Sequence, residues 1–111
     1  MILDKKFENL FLNVSCRAAL SVYQFIGKEN KIAADKAAVD AMRTELNKID
    51  MIGKVVIGEG ELDEAPMLYI GEILGSKNGP ELDIAVDPLE GTNFAAHNLP
   101  GALSVIAVAE K

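Results

Sequence analysis

Cysteine is nearly absent from this 111-residue chain, tryptophan is missing, and aromatic residues make up only 5% of it. The lone thiol, Cys16, excludes an internal disulfide and fits a reducing compartment. No His lies near it in sequence, so it reads as a small apolar helix residue rather than a nucleophile. Scarce aromatics and a net charge of −6 remove both the stacking surface and the positive patch that nucleic-acid binding needs. No uninterrupted apolar run reaches the ~18 residues of a membrane span. The opening "MILDKKFENLFLNVS" sets charges inside its apolar pattern, unlike a signal peptide. These absences describe a soluble cytoplasmic protein with no nucleic-acid and no membrane partner. H-E-x-x-H, C-x-x-C and G-x-S-x-G are missing too, which leaves zinc, redox and serine-hydrolase chemistry without support.

What is present is an ordinary globular balance, 50% apolar and 25% charged, enough for one small domain. Apolar residues recur every three or four positions over 3–26, which predicts an amphipathic helix stopped by Gly27. A second helix is expected over 33–49, its inner face rich in alanine. "KVVIGEGE" reads as a short β-branched strand running into glycines, and "SKNGPE" as a turn. "LDEAPMLYIGEILG" fits either a helical turn after Pro66 or an extended segment. "LDIAV" is a strand, "DPLEGTN" a loop, "FAAHNL" a turn or more of helix, and "ALSVIAVAE" a second buried strand. The expected class is α/β, a layered fold with N-terminal helices followed by a mixed sheet. The sequence stops directly after an apolar strand, and the expectation is therefore an incomplete fold, the front portion of a larger one.

Negative charge is concentrated. Between Ile57 and Glu90 there are nine acids against one base, Lys77, whereas the remainder holds eight acids and ten bases. Within that segment, "IAVDPLEGTNF" places Asp87 and Glu90 where a strand is expected to end. Pro88 biases Asp87 toward extended backbone, Gly91 permits close approach to a ligand, and Thr92 offers a hydroxyl at a possible helix start. A buried carboxylate needs compensation, and paired oxygen ligands suit Mg²⁺ or Mn²⁺. A polar turn with an N-cap fits the same residues. In "IGEGELDEAP" Glu59 sits between Gly58 and Gly60, with Glu61, Asp63 and Glu64 behind it. Such crowded acids either stay solvated or share a cation. Two acidic loops at strand ends favour a shared divalent site. In "NKIAADKAAVDAMR", Lys31 and Asp35 have the spacing of an i,i+4 ion pair at a helix start. His97, the only histidine, reads as a loop residue.

"DPLEGT" resembles the D-P-[IL]-[DE]-G-[ST] signature of the lithium-sensitive, metal-dependent phosphatases, among them inositol monophosphatase and fructose-1,6-bisphosphatase. The longer stretches "NKIAADKAAVDAMR", "GKVVIGEGELDEAPMLYIGE", "DIAVDPLEGT" and "LPGALSVIAVAEK" resemble the bacterial class II fructose-1,6-bisphosphatases, in the right order and as far as Lys111. The resemblance implies that residues 1–111 are the N-terminal part of a sugar-phosphatase domain. It implies hydrolysis of fructose 1,6-bisphosphate to fructose 6-phosphate and phosphate in gluconeogenesis, extending in similar enzymes to sedoheptulose 1,7-bisphosphate. It also implies a two-metal site holding Mn²⁺ or Mg²⁺, a phosphorylated sugar as partner, and a homo-oligomer when complete. By motif, Asp35 and Glu59 would hold one metal, and Asp87 and Glu90 a second. Glu90, Gly91 and Thr92 would face substrate, Thr92 would orient the attacking water, and Asp63 would activate it, with Lys31 in the same corner. Asn93 stands where that family more often has Thr or Ser. The family's chain is longer, and its later part supplies sugar contacts and a further carboxylate, so 111 residues alone are expected to be weak or inactive. The competing expectations are a truncated, non-catalytic metal-binding fragment and another phosphatase of the inositol monophosphatase superfamily.

Overall fold

The computed structural model describes residues 5–59, 67–90, 95, 97 and 103–111. Helix α1 (Lys5–Val22) forms where Phe11, Val14, Ala18 and Val22 recur three or four residues apart, and all four are buried. The helix then tightens into a 3-10 turn, Tyr23–Phe25, so the α geometry ends before the periodicity does. Gly27 closes the segment with φ +74°, a backbone conformation that costs glycine little. Cys16 lies on the exposed side of α1.

Helix α2 (Lys31–Asn47) begins two residues before the expected boundary, because Asn30 caps it. The Asn30 side chain accepts a hydrogen bond from the Ala33 N–H at 3.0 Å, satisfying one of the free donors of the first turn. The buried positions of α2 include Ala34, Ala38, Val39, Met42 and Leu46. The i,i+4 ion pair within α2 is Lys36–Asp40 at 2.7 Å, and among the described residues Lys31 and Asp35 form none.

The sheet contains β1 (Ile52–Ile57), β2 (Ile73–Leu74), β3 (Glu81–Glu90) and β4 (Leu103–Glu110), in the order β2-β1-β3-β4. β1 and β3 run parallel, while β2 and β4 are antiparallel to their neighbours. The segment that the sequence left open, around "MLYIGEILG", thus includes a two-residue strand rather than a helix, and 60–66 lies outside the described residues. The fold is α+β: two helices, then an open mixed sheet. Both helices pack on one face of it, where Val14, Ala18, Met42, Leu46, Val55, Leu68, Leu82 and Ile84 form the main core.

Two expectations about strands change. β3 does not stop at Val86 but continues through Asp87 to Glu90, in the stretch read as a loop. It does so by means of a bulge. Asp87 pairs with Val105 and Glu90 with Leu103, so two residues of β3, Pro88 and Leu89, stand opposite Ser104 alone. A bulge tolerates a proline, which has no N–H for a regular ladder. β4, expected to be buried, is not. Ile106 and Val108 pack partly against the core, but Leu103 and Val105 are exposed on the sheet face away from the helices. Only Ala95 and His97 of "FAAHNL" belong to the described residues. Among the described residues no helix is long and apolar enough to cross a membrane.

Candidate functional site

A second, smaller apolar cluster determines where the acidic side chains meet. Leu89 at the end of β3 packs with Ala34 and Ala38 of α2, Val22 of α1, and Ala95. The two alanines are completely buried, and their small side chains let the bulged end of β3 come close to the start of α2. Asp35 follows Ala34 on α2, and Asp87 lies two residues before Leu89 on β3. The apolar contact therefore brings together the two chain segments that bear these carboxylates.

Glu59 arrives from β1. Past Ile57 the chain passes Gly58, where a side chain would collide with the Leu68 backbone carbonyl and with Val55 Cγ1. Glycine is required here by close approach, not by an unusual dihedral. The Glu59 N–H donates to that same Leu68 carbonyl at 2.7 Å, fixing the turn. The Glu59 carboxylate is half-buried, and its Oε2 is enclosed without a hydrogen-bond donor among the described residues. Burial first, then the charges of Asp35 and Asp87, push its pKa up to about 7. Asp35 is also raised, by burial and by the charge of Asp87. Asp35 of α2, Glu59 just after β1 and Asp87 of β3 thus share one electrostatic neighbourhood.

Not every expected residue joins them. Glu90 is exposed beyond the bulge, and it is not among the groups that raise Asp35 or Glu59. Asp63, Gly91 and Thr92 lie outside the described residues, as does Asn93. Lys31 is exposed at the start of α2. His97 is exposed and stands 3.8 Å from Glu29, consistent with the loop reading.

Among the described residues, no three His, Cys, Asp or Glu side chains are gathered into a ready-made metal cage. The chemistry of the trio nevertheless fits a hard divalent cation. The donors are all carboxylate oxygens, one of them is enclosed with no donor to it among the described residues, and ionising all three sets like charges against one another.

One group escaped the sequence reading. Arg43 of α2 donates from Nε to Glu72 Oε2 at 2.8 Å and from Nη2 to Glu72 Oε1 at 3.0 Å. Its Nη2 also donates to the Met67 carbonyl at 2.6 Å. Glu72 is the one buried charged residue among those described. A single acid inside the apolar run "MLYIGEILG" was the available signal, because burial there requires a partner.

Residues 5–111 match the family described as bacterial fructose-1,6-bisphosphatase, glpX-encoded. The chain belongs to that family. It is 54% identical over 99 residues to a protein of Prochlorococcus marinus named D-fructose 1,6-bisphosphatase class 2/sedoheptulose 1,7-bisphosphatase, covering 89% of this chain and 30% of that one. A protein of the same name from a Synechococcus species is 49% identical over 109 residues, covering 98% of this chain and 33% of the relative. Fructose-1,6-bisphosphatase 1 class 2 of Escherichia coli is 52% identical over 101 residues, covering 91% of this chain and 30% of the relative. The chain thus spans about a third of the length of the curated relatives it matches. Among solved structures, an extragenic suppressor from Pyrococcus furiosus superposes with a TM-score of 0.60 over 96% of this chain and 41% of its own. At 15% identity that likeness concerns the fold alone.

Proposed function

We propose that this chain supplies the metal-binding third of a class 2 fructose-1,6-bisphosphatase, a phosphoric monoester hydrolase releasing phosphate from fructose 1,6-bisphosphate. The observation that carries the reading is the half-buried carboxylate of Glu59, whose Oε2 has no hydrogen-bond donor among the described residues, in the electrostatic neighbourhood of Asp35 and Asp87, in a chain of this family. Relatives whose names include sedoheptulose 1,7-bisphosphatase support extending the substrate to that sugar. The wider kinship with inositol monophosphatase, a cytoplasmic location, a gluconeogenic role and homo-oligomeric assembly belong to the same proposal.

Asp35, Glu59 and Asp87 would hold Mn²⁺ or Mg²⁺, with Glu90 completing a second position. Such ions, when bound, supply Lewis acidity toward the phosphate oxygens and the attacking water. The acidic segment repels a sugar phosphate on its own, so its carboxylates are useful to this substrate only as ligands. Half-burial limits water around Glu59, which strengthens whatever cation contact it makes. Asp63 takes the proton of the attacking water, Thr92 orients that water, and Glu90 and Gly91 line the substrate. These last roles rest on the motifs "ELDEAP" and "DPLEGT".

The test is phosphate release from fructose 1,6-bisphosphate with Mn²⁺. It is run on the chain alone and on the chain joined to the remaining two thirds of the Escherichia coli relative. Turnover by the joined protein, abolished by chelation, is the expected result. A folded joined protein with no metal-dependent turnover would refute the proposal.

A further inference from the structure

The geometry assigns Arg43 as a positioning residue for Glu59, acting through the segment that Glu59 leans on. The contacts form a continuous path. Arg43 grips both carboxylate oxygens of Glu72, at 2.8 and 3.0 Å, and the Met67 carbonyl at 2.6 Å. It thereby fastens both ends of 67–72 to α2. Between those ends, Leu68 is fully buried, and its carbonyl receives the Glu59 N–H at 2.7 Å. The same segment is laced to β1, since the Val55 N–H donates to the Glu72 carbonyl at 3.0 Å and the Gly71 N–H to the Val55 carbonyl at 2.7 Å. Glu59 thus hangs from a strap that has one side on the sheet and the other on the helix carrying Asp35.

Glu59 belongs to no strand or helix. With Gly58 before it, the local backbone alone has wide conformational freedom, and the Leu68 carbonyl is what narrows it. A planar guanidinium suits the clamp because it can hold a carboxylate with two parallel bonds and still reach a carbonyl. Lysine offers a point charge and cannot reproduce that fork. Removing the fork leaves Glu72 buried without its charge partner and frees the Met67 end of the strap.

This inference rests on the reading of Glu59 as a cation ligand, and its test separates the two. Amide hydrogen exchange and Mn²⁺ titration are measured on the wild-type chain, Arg43→Met and Arg43→Lys. In Arg43→Met, exchange at the Glu59 amide is expected to speed up about tenfold or more, with β1–β3 ladder amides unchanged, and Mn²⁺ to bind about tenfold more weakly. Arg43→Lys should fall between, and it carries the comparison if the methionine variant does not fold. Unchanged Glu59 exchange, or uniform acceleration of all amides, would overturn the positioning role. A wild-type chain that binds no Mn²⁺ while Glu59 exchange still responds would refute the cation reading and leave the clamp standing.

Discussion

The charge of Asp87 on β3, added to burial, raises the pKa of Asp35 on α2. The two residues are 52 positions apart in the chain and meet because Leu89 packs onto Ala34 and Ala38. An arrangement that adds repulsion to partial burial is unfavourable in a protein without a cation.

Asp87→Asn removes one carboxylate charge while keeping the side-chain shape in β3. In the chain joined to the rest of a class 2 relative, metal-dependent phosphate release should fall by about a hundredfold or more. Circular dichroism and the unfolding midpoint of the metal-free protein should be unchanged or slightly improved, because a source of repulsion is gone. Steady-state turnover against Mn²⁺ concentration provides the check.

Glu59 makes metal-free stability depend on pH in a defined direction. Its folded pKa, about 7, lies above the ordinary 4.5, so between those values the folded state holds a proton that the unfolded state has released. Stability therefore falls as pH rises from 4.5 to 7, and the full penalty is present above that window. Asp35 contributes in the same direction. Glu59 is only half-buried and solvent-screened, which keeps its effect to about 1–2 kcal/mol. Urea denaturation at pH 5 and pH 8 should show this loss in the wild type and a reduced one in Glu59→Gln.

The same shift ties cation binding to proton release. Mn²⁺ should bind more weakly below pH 7 than above it, because the cation must displace the proton on Glu59. Calorimetric titration in two buffers of different ionisation enthalpy would measure the protons released, and Glu59→Gln should release fewer.

Gly58→Ala forces a methyl group against the Leu68 carbonyl and Val55. Neither a backbone carbonyl in a buried strap nor a core valine yields easily, so the variant should lose about 1–3 kcal/mol. The damage should appear locally first, as faster amide exchange at Glu59 than on β3.

Asn30→Ala removes the cap of the helix that carries Asp35, and about 1 kcal/mol of stability should go with it. Asn30→Asp should retain it, and thermal melts of the two variants would decide.

Several elements were legible in the sequence because their cause is local. The three- and four-residue spacing in 5–22 and the alanine-rich face of α2 report directly which side is buried, and both helices form. The turn in "SKNGPE" was legible for the same reason; within it Ser76 Oγ accepts from the Asn78 N–H at 3.2 Å, and it donates to Asp50, before β1, at 2.9 Å. The boundary of β3 was not. Proline and glycine after Asp87 locally favour a loop, but pairing with β4 continues past them because a bulge absorbs the missing N–H. β4 was misread in burial for a related reason. Its apolar residues are alike in sequence, and only the location of the helices on one face separates the covered Ile106 and Val108 from the exposed Val105.

The sequence by itself determined the two helices, the clustering of acids between Ile57 and Glu90, and, through its motifs, the family. Which acids interact was left to tertiary structure. Proximity between α2, the end of β1 and β3 depends on packing of Leu89 against two alanines and on the strap held by Arg43, and neither contact has a local signature. Coulomb interaction follows distance in space, and the distance from Asp35 to Asp87 exists only once the chain has folded.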